Sequence, residues 1–150
     1  MKKDDFTIIF KATFKLKARV LSRERYYTGR EAQLAPVDLA LGWGRMSDES
    51  VLDRIDISQS GRFYRWQTDK FPIPPREIEI NSANMHLIPA DVAVEDDIKS
   101  AVKGNIVKLQ GYLVFVKHPD GWKWRSSLKR GDTGDGACEV VYVESFEILE

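Results

Sequence analysis

The stretch WRSSLKRGDTGDGACE, residues 124–139, gathers Ser126, Ser127, Asp132, Asp135, Glu139 and the only cysteine, Cys138. A thiol with a histidine and an acid is the raw material of a cysteine nucleophile, provided that the base lies within hydrogen-bond reach. His86, one of two histidines, sits in NSANMH at 81–86 and is the available base. Against this, Cys138 heads an apolar run, and a free cysteine there behaves as a small buried hydrophobe with little thiolate. Low thiol reactivity is therefore expected. No G-x-S-x-G elbow surrounds Ser126 or Ser127, which weighs against a serine hydrolase. GDTGDG lacks the carboxylate spacing of a calcium loop, and glycine and aspartate equally suit positive-φ turns. His118 falls in a turn, and two histidines with one cysteine do not furnish a common zinc site. No catalytic residue, metal or cofactor is assigned.

Aromatic and basic residues form the other suggestive set. In RFYRW, Arg62, Tyr64 and Trp66 share one face of a strand; in WKWRSSL, Trp122, Trp124 and Ser126 do, with Lys123 and Arg125 opposite. Tryptophans beside arginines can stack on bases or sugars, or anchor a protein. Indoles filling the core, with arginine stems along its edge, are the more frequent outcome. A shallow polar cleft is expected where the 124–139 stretch meets NSANMH. Its candidate lining is Trp43, Arg45, Asn81, Ser82, Asn84, His86, Arg125, Ser126, Ser127, Asp132, Asp135 and Glu139.

The elements that must position these groups follow from pattern. Phe10, Ala12, Phe14, Leu16, Ala18 and Val20 alternate with Lys11, Thr13, Lys15, Lys17 and Arg19. This period of two marks a long half-buried strand, with Phe10, Phe14, Leu16 and Val20 inward and Lys11, Lys15, Lys17 and Arg19 outward. Pro36 and the cluster Val37, Leu39, Ala40 and Leu41 suggest a helix, and Ser47 suggests the cap of a second. RFYRW reads as a strand, and DKFPIPPRE as an extended loop. A strand is expected over 85–88 and a helix from a cap at Asp91 to about Val102, stopped at Gly104. NIVKLQGYLVFV turns at HPDG into WKWRSSL as a hairpin, and CEVVYVESFEIL closes the chain as a strand. The order points to an α+β domain. It should be a strongly curved, mostly antiparallel sheet or a partly open small barrel, OB-like in its glycine-bearing strand, with three short helices.

At 150 residues the chain suits one domain over 1–150, and 43% hydrophobic and 31% charged content suits a folded one. Lys plus Arg and Asp plus Glu are both 23, for a formal net charge of zero. General nucleic-acid binding, which needs cationic excess, is disfavoured, although a local basic face is compatible with neutrality. One cysteine allows no intrachain disulfide. The start MKKDDFTIIFKATFKLK lacks a signal-peptide apolar region, and no run spans a bilayer, so a cytoplasmic location is the default.

The phrases DLALGWGRMSD, DISQSGRFY, SANMHLIPAD, WKWRSSL and GDGACEVVYV resemble a family of uncharacterised bacterial proteins with no established activity. The resemblance runs from about Ala18 to Val143 and implies a bacterial origin. Members often carry an N-terminal membrane anchor, which implies an envelope-associated form; this chain begins almost at the first strand instead. The combined expectation is a binding or interaction module for a protein or small polar ligand. Its rivals are a hydrolase- or nuclease-like enzyme around GDTGDG and a single-stranded nucleic-acid binder on an OB-like face. The last would require exposed aromatics beside Lys11, Lys15, Lys17 and Arg19.

Overall fold

The opening alternation extends further than its period alone suggests. In the computed structural model, which describes residues 1–128 and 138–150, strand β2 spans Phe6–Arg25, 20 residues, and is led in by the two-residue β1, Lys2–Lys3. A strand of that length must bend. Its register shifts between Phe10 and Ala12 against one neighbour and between Val20 and Ser22 against another. Phe14, Ala18 and Val20 are buried, while Lys11, Lys15 and Lys17 are exposed. Leu16 packs partly against the core, and half-buried Arg19 bonds the carbonyls of Ser47 and Gly104. Phe10 departs from expectation: it is 44% exposed rather than in the core. One extra residue at the bulge puts Phe10 on the outer face of β2, in line with Thr13, Lys15 and Lys17.

The remaining long strands are β3 (Val37–Gly42), β6 (Ser82–Pro89), β7 (Ile106–Lys117) and β9 (Glu139–Ile148). Pairing runs β2–β3–β6–β9–β7 and returns from β7 to β2, a ring of five strands. Every contact in it is antiparallel except β6–β9, which is parallel. A hairpin of β4 (Asp56–Ser60) and β5 (Phe63–Gln67) lies between β3 and β6 in the chain, and β8 (Lys123–Arg125) extends β7. The described helices are α1 (Arg30–Leu34), α2 (Glu49–Leu52), preceded by a 3₁₀ turn at Gly44–Ser47, α3 (Pro75–Ile80) and α4 (Val92–Ser100). The fold is α+β with a strongly curved, mostly antiparallel sheet. No helix among the described residues is long and apolar enough to cross a membrane.

The ring encloses Phe14, Val20, Leu39, Leu41, Met85, Leu87, Leu109 and Val141, together with Val94 and Ile98 of α4. Two further clusters lie outside it. One packs Phe6, Ile8, Val114, Val116, Ile88 and Val140 against Leu34 of α1, with Trp122 and Trp124 half-buried beside it. The other packs Leu21, Ala40 and Met46 against Ile73 and Ile78, with Tyr64 and Trp66 of the hairpin.

These outer clusters account for the local departures. Val37–Leu41, suggestive of a helix, forms β3, and all six of its residues are buried. A strand covered on both faces loses the apolar–polar alternation that identifies it. β6 is buried from Asn84 to Pro89 for the same reason, and it begins at Ser82, earlier than its pattern suggests. Asp48, not Ser47, caps α2, its carboxylate accepting from the Ser50 amide at 2.9 Å. α3 starts with Pro75 in its first turn, inside the stretch read as an extended loop. Asp91 caps α4 as expected, accepting from the Val94 amide.

Candidate functional site

The hairpin β4–β5 turns through Gly61 and Arg62, with φ of 57° and 71°. Two positive φ values are the geometry that matches strand twist in a two-residue turn. Glycine accepts it freely, whereas arginine rarely sits in the left-handed region without compensation. The compensation is what its side chain reaches. Arg62 Nη1 donates to Asp38 Oδ1 at 2.7 Å and to the Ala35 carbonyl at 2.8 Å. Its own amide donates to the Tyr26 hydroxyl at 2.8 Å.

Asp38 stands on the outer face of β3, fully buried, directly opposite His86 of β6. Its Oδ2 lies 2.9 Å from His86 Nδ1 and accepts from Asn84 Nδ2 at 3.2 Å. A carboxylate paired with arginine only accepts, so the contact places a proton on Nδ1. Asn84 Nδ2 also donates to the Arg62 carbonyl at 3.0 Å, and Gln59 Nε2 donates to Asn84 Oδ1 at 2.7 Å. Strand pairing thus presents Asp38, Asn84 and His86 on one face, and the hairpin folds over them. Tyr26 and Trp124 close the group: the Arg62 guanidinium carbon lies 3.9 Å from the centre of the Tyr26 ring, and the His86 ring centre lies 4.8 Å from that of Trp124.

Cys138 immediately precedes β9 and points its sulfur at the Arg62 carbonyl, 3.9 Å away. Burial, aided by the charges of Glu139 and Asp38, pushes its thiol up to about 12. A thiol held there is protonated at neutral pH and is neither nucleophile nor ligand. In folded protein, iodoacetamide should label Cys138 at a small fraction of the rate seen after denaturation in urea, followed by mass spectrometry. Equal rates would contradict the burial.

No protein-family model matches the chain, and no curated protein matches it.

The remaining candidate residues separate into groups. Arg45 forms an exposed ion pair with Glu77, which holds the Glu77 carboxyl below its usual range. Asn81 binds the Glu77 carbonyl through its side chain and receives the Trp43 amide on its own carbonyl. These three belong to the junction of β3, β6 and α3. Ser82 donates to the Ile78 carbonyl and meets the Tyr64 hydroxyl at 2.8 Å. Ser126 Oγ accepts from the Val140 amide at 3.0 Å and donates to the Ser127 carbonyl, while the Ser127 amide donates to the Cys138 carbonyl. The serines therefore fasten the start of β9. Val140 is the register partner of His86, so one strand separates the serine pair from the Asp38 group. Glu139 is buried in β9, and exposed Arg125 lies over the Phe115 ring. Asp132 and Asp135 lie outside the described residues. Among the described residues, no three His, Cys, Asp or Glu converge as metal ligands.

Asp38, Gln59 and Tyr26 were not among the candidates drawn from the sequence. One signal was available: a single aspartate in the apolar run PVDLALG demands a buried partner.

A second, open surface lies on the outer face of β2, β7 and β9. Phe10 stacks on Tyr112 with ring centres 4.4 Å apart and planes 9° from parallel, and Tyr142 adjoins at 5.3 Å. Below them, register pairs place Lys15 opposite Gln110 and Lys17 opposite Lys108, with Ser145 and Glu147 next across. Past Lys17, a cavity of about 270 Å³ is lined by Lys17, Arg19 and Trp43 among others.

Proposed function

We propose that this chain is a bacterial binding module of OB-like build, not an enzyme, and that it engages an anionic ligand on the outer face of β2, β7 and β9. The observation that carries the reading is the contrast between the two polar groups. Every hydrogen-bonding feature of Asp38 is committed inside the fold, the thiol nearest to it is protonated, and Ser126 serves the backbone. The hydrolase-like alternative is left with an acid–histidine pair and no activated nucleophile among the described residues. The outer face, in contrast, presents an aromatic stack and three lysines to solvent. The strand order supports the OB-like reading: first, second, third, fifth, fourth and back to the first, with α4 between the third and fourth.

Chemical-shift titration of ¹⁵N-labelled protein tests it, using a heparin fragment, polyglutamate, oligothymidylate and a lysine-rich peptide. The expected result is saturable shifts from at least one polyanion, concentrated at residues 10–17 and 108–112, and none from the cationic peptide. Shifts centred on Asp38, Arg62 and His86, or none with any polyanion, would overturn the assignment.

A further inference from the structure

We propose that the ligand of this face is single-stranded nucleic acid, with a base stacked on Phe10 and phosphates on Lys15, Lys17 and Lys108. The inference rests on the binding-module reading above and specifies its ligand.

Three observations carry it. The first is Phe10. A bulge turns a large aromatic out of the core, and it is left 44% exposed on a parallel stack with Tyr112. Burying apolar area would favour the opposite arrangement, whereas a rigid ring standing on a second ring is a ready platform for a base. The second is charge. Lys17 and Lys108 are direct cross-strand partners, an arrangement that repels, and no ion pair engages Lys11, Lys15, Lys17 or Lys108 among the described residues. Among the described residues three acids adjoin this face: Glu147 faces Lys108 across the strands, Glu144 lies near Tyr142, and Glu150 lines the cavity beside Lys17. A polyanion relieves such repulsion, while an apolar partner would have to bury it. The third is reach. From Phe10 to Lys17 an extended strand covers about 23 Å at roughly 3.3 Å per residue, and half-buried Trp43, which packs against the core, lines the cavity beside Lys17 at the far end. That is a track for several nucleotides with an aromatic at each end, within the range of about 4–16 nucleotides that single folds of this kind accommodate.

The chemistry separates single strands from duplexes. Bases paired in a duplex cannot lie on a ring projecting from a sheet, so the site favours unpaired bases. A sulfated sugar could also use the lysines and lay its C–H face on Phe10, so heparin is measured beside the oligonucleotide. The local basic row is compatible with a neutral chain because the charges that matter are those within a Debye length, about 8 Å in physiological salt.

Fluorescence anisotropy of a labelled twelve-nucleotide oligothymidylate provides the test, with the intact chain. Binding should weaken as salt rises and should fall at least tenfold in the triple variant Lys15→Ala, Lys17→Ala, Lys108→Ala. Phe10→Ala should weaken it at least fivefold. Phe10→Leu, which keeps an apolar side chain against Tyr112, should weaken it by a similar factor. The same sequence as a duplex should bind at least tenfold less tightly. If heparin binds as tightly as the oligonucleotide and both Phe10 variants leave affinity unchanged, the nucleic-acid inference fails while the anion-binding module stands. If no polyanion binds, both fail.

Discussion

Replacing Asp38 with alanine should destabilise the protein by about 3–5 kcal/mol, the range seen when one partner of a buried ion pair is removed. The reason lies in what remains. Arg62 would keep only the Ala35 carbonyl for its guanidinium, and His86 Nδ1 and Asn84 Nδ2 would lose their shared acceptor. Arg62 would also lose the contact that holds its backbone in the left-handed region. Urea denaturation followed by tryptophan fluorescence measures the loss, and Trp124, beside His86 and Arg62, reports on the site directly. Asp38→Asn should recover part of the loss by accepting one of the three hydrogen bonds. A cost below about 1 kcal/mol, the usual effect of an average substitution, would mean that the network does not exist in solution.

Gly111→Ala should be more damaging still. A methyl group there would lie 1.8 Å from the Tyr142 carbonyl oxygen and 2.9 Å from its carbon. Both obstacles are backbone, and β7 and β9 cannot part without opening the ring. The register between them already shifts at Gln110–Gly111, so the close approach is built into the bend. The expected result is a loss above about 4 kcal/mol, in the tail reserved for strained backbone and overpacked cores, seen by circular dichroism as an unfolded or aggregating protein at ambient temperature. A variant that melts near the parent would show that the two strands do not approach so closely.

How much of this was readable beforehand depends on burial. β2, α4 and the β7–β8 hairpin each keep one face wet for much of their length, and their periods identify them, whereas β9 is wet only past Val143 and reads as a strand from its β-branched and aromatic run. β3 and β6 are covered on both faces, so Val37–Leu41 mimics a helix and NSANMH reads as an interruption. The ring itself depends on β2 meeting β7, strands far apart in sequence, and no local pattern encodes that contact. At the site, Asn84 and His86 stood out as polar residues in an apolar setting. Asp38 was equally anomalous but sat inside a stretch assigned to the wrong element. Arg62 could be placed on a strand face, yet its reach into the network follows from a turn whose φ values are not written in the residue. Strict alternation puts Phe10 inward because it leaves no room for a bulge.

Closure of the ring also sets an order of events during synthesis. The first long strand, β2, ends at Arg25, and β7, which closes the ring against it, ends at Lys117. At roughly 5–20 residues per second, about 5–18 s pass between the emergence of β2 and the completion of β7. Until then the apolar face of β2, carrying Phe14, Ala18 and Val20, has only β3, β6 and α4 to shelter beside. That face therefore stays incompletely covered for seconds during synthesis, and any pause before Lys117 is added lengthens its exposure.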